Sequence, residues 1–135
     1  MVLRPAFSDD QVFNLSYAVR TWYFLYMSHQ LIDAVSLELG RRVASELRRR
    51  PECLDVARSN LERWARQNDG VPSLLRCYEE WQSLLSRPID EVCAVLTSET
   101  EEGQRLRQNS PFAGVLPPRE VWEIKDRLRH ATSST

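Results

Sequence analysis

Apolar residues recur along this chain at helical rather than strand spacing. From Val12 they fall at positions 12, 15, 19, 22 and 26, one face of a 3.6-residue helix, and a second stripe follows at Phe24, Leu31, Val35 and Leu39. Ser8 ahead of Asp9, Asp10 and Gln11 has the form of a capping box, with two carboxylates at the positive end of the helix dipole. No Pro or Gly intervenes before Gly40, so one long helix or two abutting helices cover residues 9–39. Gly40 either ends that helix or only weakens it, because the helical pattern resumes at Val43, Ala44 and Leu47.

Pro51 suits the first position of a further helix whose buried stripe is Leu54, Ala57, Leu61 and Trp64, and Asn68-Asp69-Gly70 ends it. Pro72 and Ser73 open the next, with Leu74, Tyr78, Trp81 and Leu85 on one side. Ser86-Arg87-Pro88 interrupts, and a short helix follows through Val92, Val95 and Leu96. Residues 97–103 are polar and acidic, a loop or the start of a short amphipathic helix reaching Gln108. Residues 109–118 hold three Pro and a Gly and are irregular by necessity, after which a last helix runs from Pro118 through Val121, Ile124 and Leu128 to His130. No segment alternates long enough for a sheet. The pattern predicts an all-α, single-domain bundle of about five to seven helices with an irregular Pro-containing segment before the last one. Along residues 1–135 it divides into a long N-terminal helical region (8–50), a helical hairpin and short helix (51–97), and a connector, last helix and frayed tail (98–135).

Composition agrees: 42% hydrophobic and 27% charged residues are ordinary globular material, not disorder. A net charge of −1 supplies no global field toward nucleic acid or acidic membranes, although residues 41–67 are basic on balance and 68–103 acidic. Every basic residue except Lys125 is Arg, which a GC-rich bacterial coding bias accounts for. Cys53, Cys77 and Cys93 form no CxxC pair and sit in apolar helical patterns as small buried hydrophobes, against a disulfide framework or zinc knuckle. The first residues lack an apolar signal core, and the longest unbroken apolar run, residues 22–27, is far short of the ~20 residues a membrane span needs. A cytoplasmic protein with no membrane association is expected.

Catalytic chemistry finds little to build on. His29 and Asp33, four apart, could share a helix face, but a metal site needs three or four ligands and no further His or CxxC completes it. A His29–Asp33 hydrogen bond beside the core is the expectation, with no metal and no cofactor. Neither a nucleophile elbow nor a P-loop nor a dinucleotide fingerprint is present. Glu79-Glu80 and Glu101-Glu102 point about 100° apart on a helix, as solvated faces do. No catalytic residue is assigned, and a non-enzyme is favoured.

Residues 52–86 have the outline of a helix-turn-helix unit, yet the second helix sets Arg76 against Glu79 and Glu80 where a reading helix needs basic or polar groups. Arg58, Glu62 and Arg66 follow one another at four-residue spacing, as do Glu46 and Arg50, so a face laced by ion pairs is expected and nucleic acid is not the favoured partner.

Two features remain. Residues 22–27 put large apolar groups all round one helix, so this helix is central to the bundle or Trp22, Tyr23 and Tyr26 form a self-association face of a homodimer. Residues 104–116 place Arg105 and Arg107 ahead of an apolar irregular stretch. This is either a connector whose Phe112, Val115 and Leu116 cover the bundle end, or a partner-docking segment built on Arg105, Arg107 and Phe112. The sequence thus points to a non-catalytic interaction or regulatory module, antitoxin-like in kind, that binds a partner protein. The alternatives are a DNA-binding regulator using the helix-turn-helix-like hairpin and an enzyme whose site is assembled across the fold.

Overall fold

The computed structural model describes residues 17–133, with side chains placed from residue 28 to residue 131. The capping box at Ser8 and the side chains of Trp22, Tyr23 and Tyr26 lie outside the described residues. Among the described residues the chain is all-helical, with six α-helices and no strand: α1 (Tyr17–Arg49), α2 (Cys53–Gln67), α3 (Pro72–Leu85), α4 (Ile89–Leu96), α5 (Glu101–Arg107) and α6 (Pro118–Ser133). None of them is long and apolar enough to cross a membrane.

Helix α1 continues unbroken through Gly40. The glycine is there for contact, not for a turn: a β-carbon on it would overlap the carbonyl oxygen of Leu96 and lie 3.0 Å from Cδ of Arg107. Only a bare Cα lets α1 come this close to the end of α4.

Helix α2 begins at Cys53 rather than at Pro51, because Pro51 and Glu52 form a separate turn in which Arg50 and Pro51 carbonyls accept from the Cys53 and Leu54 N–H groups at 3.0 and 3.1 Å. Asn68 closes α2 with both its backbone N–H and its Nδ2 on the Trp64 carbonyl, each at 2.9 Å, and Gly70 follows with φ 94°. Pro72 then lies in the first turn of α3, where a missing N–H costs nothing. At α5, the Thr100 hydroxyl accepts from the Gly103 N–H at 3.1 Å, satisfying one of the helix's orphan donors.

The core is drawn from α1 to α4, with Phe112, Val115 and Leu116 of the connector closing it. Leu47, Ala57, Leu61, Trp81, Val92 and Leu96 have no exposed surface. Trp81 spans its middle: Nε1 donates to the Leu106 carbonyl at 2.9 Å and the ring meets Phe112 edge-on, centroids 5.9 Å apart at 81°. Helix α1 packs against α2, α4, α5 and α6. Helix α6 runs antiparallel to it, since Glu120 pairs with Arg42 while Arg127, two turns on, pairs with Glu38 one turn back.

The charged faces are laced, though not always by the partners the four-residue spacing suggests. Arg50 Nε does meet Glu46 at 2.5 Å, whereas Arg58 turns to Asp55 at 3.0 Å rather than to Glu62.

Candidate functional site

The connector between α5 and α6 is held from beneath. Buried Asn60 on α2 donates its Nδ2 to the carbonyls of Pro111 and Ala113 at 2.8 and 2.9 Å, and Gly114 turns the chain with φ 95°. Those bonds satisfy carbonyls of an irregular segment that has no helix or sheet partner of its own. They also fix the connector as a wall.

Between that wall, α1 and α6 lies a mostly apolar cleft of about 650 Å³. Helix α1 contributes Ser36, Leu39, Gly40 and Val43, and α6 contributes Pro118, Val121, Trp122 and Lys125. Both sets follow the three- and four-residue steps of a single helix face. Phe112 and Leu116 border the cleft from the connector side. Trp122 is 61% exposed, and Ile32, one turn before Ser36 on α1, is 54% exposed. The opposite side of the same α1–α6 seam is polar, with Arg42 and Arg127 answered by Glu120 and Glu38.

Arg107, the last residue of α5, also lines the cleft and is only 5% exposed. Its Nε donates to the Ser36 hydroxyl at 3.1 Å, and its Nη1 donates to the carbonyls of Val95 and Ser98 at 3.1 and 2.5 Å. Two of its nitrogens thus tie α5 to α1 and to the carbonyl end of α4, where a cation is favoured by the helix dipole. The third, Nη2, is buried and has no hydrogen-bond partner among the described residues. No carboxylate among them forms an ion pair with Arg107. Burial draws its pKa below the ordinary arginine value; Asp33 opposes this from a distance, Arg41 adds to it, and Glu99 opposes it.

The three residues expected to dock a partner are separated by the fold. Arg105 is exposed on the far side of α5, paired with Glu80 at 2.6 Å and Glu102 at 2.5 Å, which hold its pKa above the ordinary arginine value. Arg107 is buried behind the cleft, and Phe112 is 3% exposed against Trp81. The split of the two arginines follows from helical geometry, since residues two apart project about 200° from each other.

Trp122, Lys125 and Ser36 were not foreseen as site residues. The available signal was Trp122 itself, which falls off the stripe of Val121, Ile124 and Leu128 and so has no core to enter. The polar groups on the cleft are two cations and the hydroxyls of Ser36 and Ser110. They can bind and orient, but they include no nucleophile paired with a base. His29 is exposed, and no group of three or more His, Cys, Asp or Glu among the described residues could hold a metal ion. Comparison with protein-family models, with curated proteins and with solved structures finds no match.

Proposed function

We propose that this protein is a non-catalytic interaction module that takes a segment of a partner protein into the cleft between α1, the connector and α6. The observation that carries the reading is Trp122, 61% exposed at the edge of an apolar cleft of about 650 Å³. Small-molecule and cofactor sites measure roughly 300–1,000 Å³, with an apolar lining and few polar groups, and this cleft has the same concave, apolar character. Trp is among the residues that most often dominate binding energy. An antitoxin-like role is one form such a module takes, acting by sequestering its partner. The DNA-binding reading ranks below it because α3, the would-be reading helix, carries Arg76 as its one basic residue against Glu79 and Glu80, and Arg58 on α2 is engaged with Asp55.

The test is affinity capture with the wild type, with Trp122→Glu and with Arg76→Glu, an exposed change on α3 away from the cleft. A protein retained by the wild type and by Arg76→Glu should be lost with Trp122→Glu, a weakening of about 2 kcal/mol or more, while both variants melt as the wild type does. Retention by Trp122→Glu overturns the reading. Tight binding to random duplex DNA that falls steeply with salt would favour the DNA-binding alternative instead.

A further inference from the structure

At several places on the described surface, guanidinium groups are answered by carboxylates of the same chain. On one side of the α1–α6 seam Arg42 and Arg127 meet Glu120 and Glu38, between α1 and α4 Arg48 meets Asp90, and on α5 Arg105 meets Glu80 and Glu102. The cleft side of the seam differs from its opposite side. Its lining holds Arg107 and Lys125 and no Asp or Glu, and neither cation forms an ion pair among the described residues.

The two cations differ in what they offer. Lys125 is exposed at the rim, while Arg107 is 95% buried with Nη2 unpartnered among the described residues. Capping the end of α4 accounts for Nη1, and Ser36 accounts for Nε, but neither uses Nη2. A buried cation without a counter-charge keeps a strong field, because little water stands near to screen it. Low-dielectric apolar walls concentrate that field in the cleft.

We infer that the segment docking in this cleft is an acidic–apolar peptide: an Asp or Glu side chain flanked by bulky apolar residues, its carboxylate drawn to Arg107 and Lys125. This rests on the reading of the cleft as a protein-docking site and adds the chemistry of what docks there. The apolar residues cover Leu39, Val43, Val121 and Trp122, and the carboxylate supplies the charge that this side of the seam lacks. Ser36 and Ser110 hydroxyls flank its place.

The experiment is selection of random peptides, displayed without a free C-terminus, on the intact protein, followed by affinity measurement with the recovered peptides. The expected motif contains an acid within bulky apolar residues. Exchanging that Glu for Gln or Asp for Asn in the peptide should weaken binding about tenfold or more, as removing one partner of a buried charge pair does. Lys125→Glu and Trp122→Ala in the protein should weaken it by a similar factor with unchanged melting. Arg107→Gln should abolish it where Arg107→Lys retains part. If the Arg107 variants fail to fold, Lys125→Glu decides alone.

Peptides that depend on Trp122 yet carry no acid, or that tolerate the amide exchange, overturn the acidic assignment and leave the docking site standing. Acidic peptides indifferent to Lys125→Glu overturn it in the same way. Binding that requires a free C-terminal carboxylate on the synthetic peptide, rather than the side chain, also overturns it. Recovery of no peptide, or of peptides indifferent to Trp122→Ala, removes the docking reading and this inference together.

Discussion

Gly40 of α1 lies so close to Leu96 of α4 that a β-carbon would overlap the Leu96 carbonyl oxygen. Helix propensity alone favours Gly40→Ala by about 1 kcal/mol. The obstructing atom is backbone at a helix end, and it cannot move aside without separating α1 from α4. The expected outcome is therefore net destabilisation of about 1–3 kcal/mol, the usual cost of overpacking. Urea melts of the variant check it; a gain in stability would mean that the two helices are free to part.

Phe112 and Arg105 should behave oppositely on truncation. Phe112 is 3% exposed and edge-on to Trp81, so Phe112→Ala should cost about 3–5 kcal/mol of folding stability, as large core truncations do. Arg105 bonds Glu80 and Glu102 in solvent, and Arg105→Ala should leave the denaturant midpoint close to that of the wild type, since exposed ion pairs are screened and their ordering is entropically opposed. Denaturant midpoints of the two variants measured side by side give the comparison.

Glu46 on α1 should contribute to acid sensitivity. The Arg50 hydrogen bond, with further help from the charges of Arg49, Arg50 and Arg42, holds its carboxyl below the usual carboxylate value. The unfolded chain then binds more protons than the folded one in mild acid, so stability rises with pH there. Its contribution is complete above the unfolded carboxylate value of about 4.3 and is lost as pH falls through the lower folded value. Glu46→Gln should flatten this part of the acid limb in a series of urea melts taken from neutral to low pH. An unchanged acid limb would show that other carboxylates carry it.

Local chemistry made most of the helical framework readable before any tertiary information. Pro72, Pro88 and Pro118 mark starts because a ring nitrogen without its hydrogen is harmless there, and Asn68-Asp69-Gly70 marks a stop because Gly70 accepts a positive φ. The irregular stretch before α6 was legible for the same reason, from its prolines. What remained open were questions whose answers lie far along the chain. Gly40 reads locally as either a helix end or a weak point, and only the Leu96 carbonyl, brought up by the packing of α4, makes it a point of contact inside a continuous helix. Arg105 and Arg107 look alike in sequence. One faces Glu80 in solvent, and the other is buried against Ser36, 71 residues away, because the helix turns them to opposite sides and α1 covers only one. Asn60 reads as one more polar residue of α2 until the connector lays two carbonyls against it. The spacing of side chains within an element follows from its own backbone geometry and is written in the sequence. Which faces meet depends on the sum of many weak contacts among distant elements, and that sum placed the buried Arg107 behind an apolar cleft.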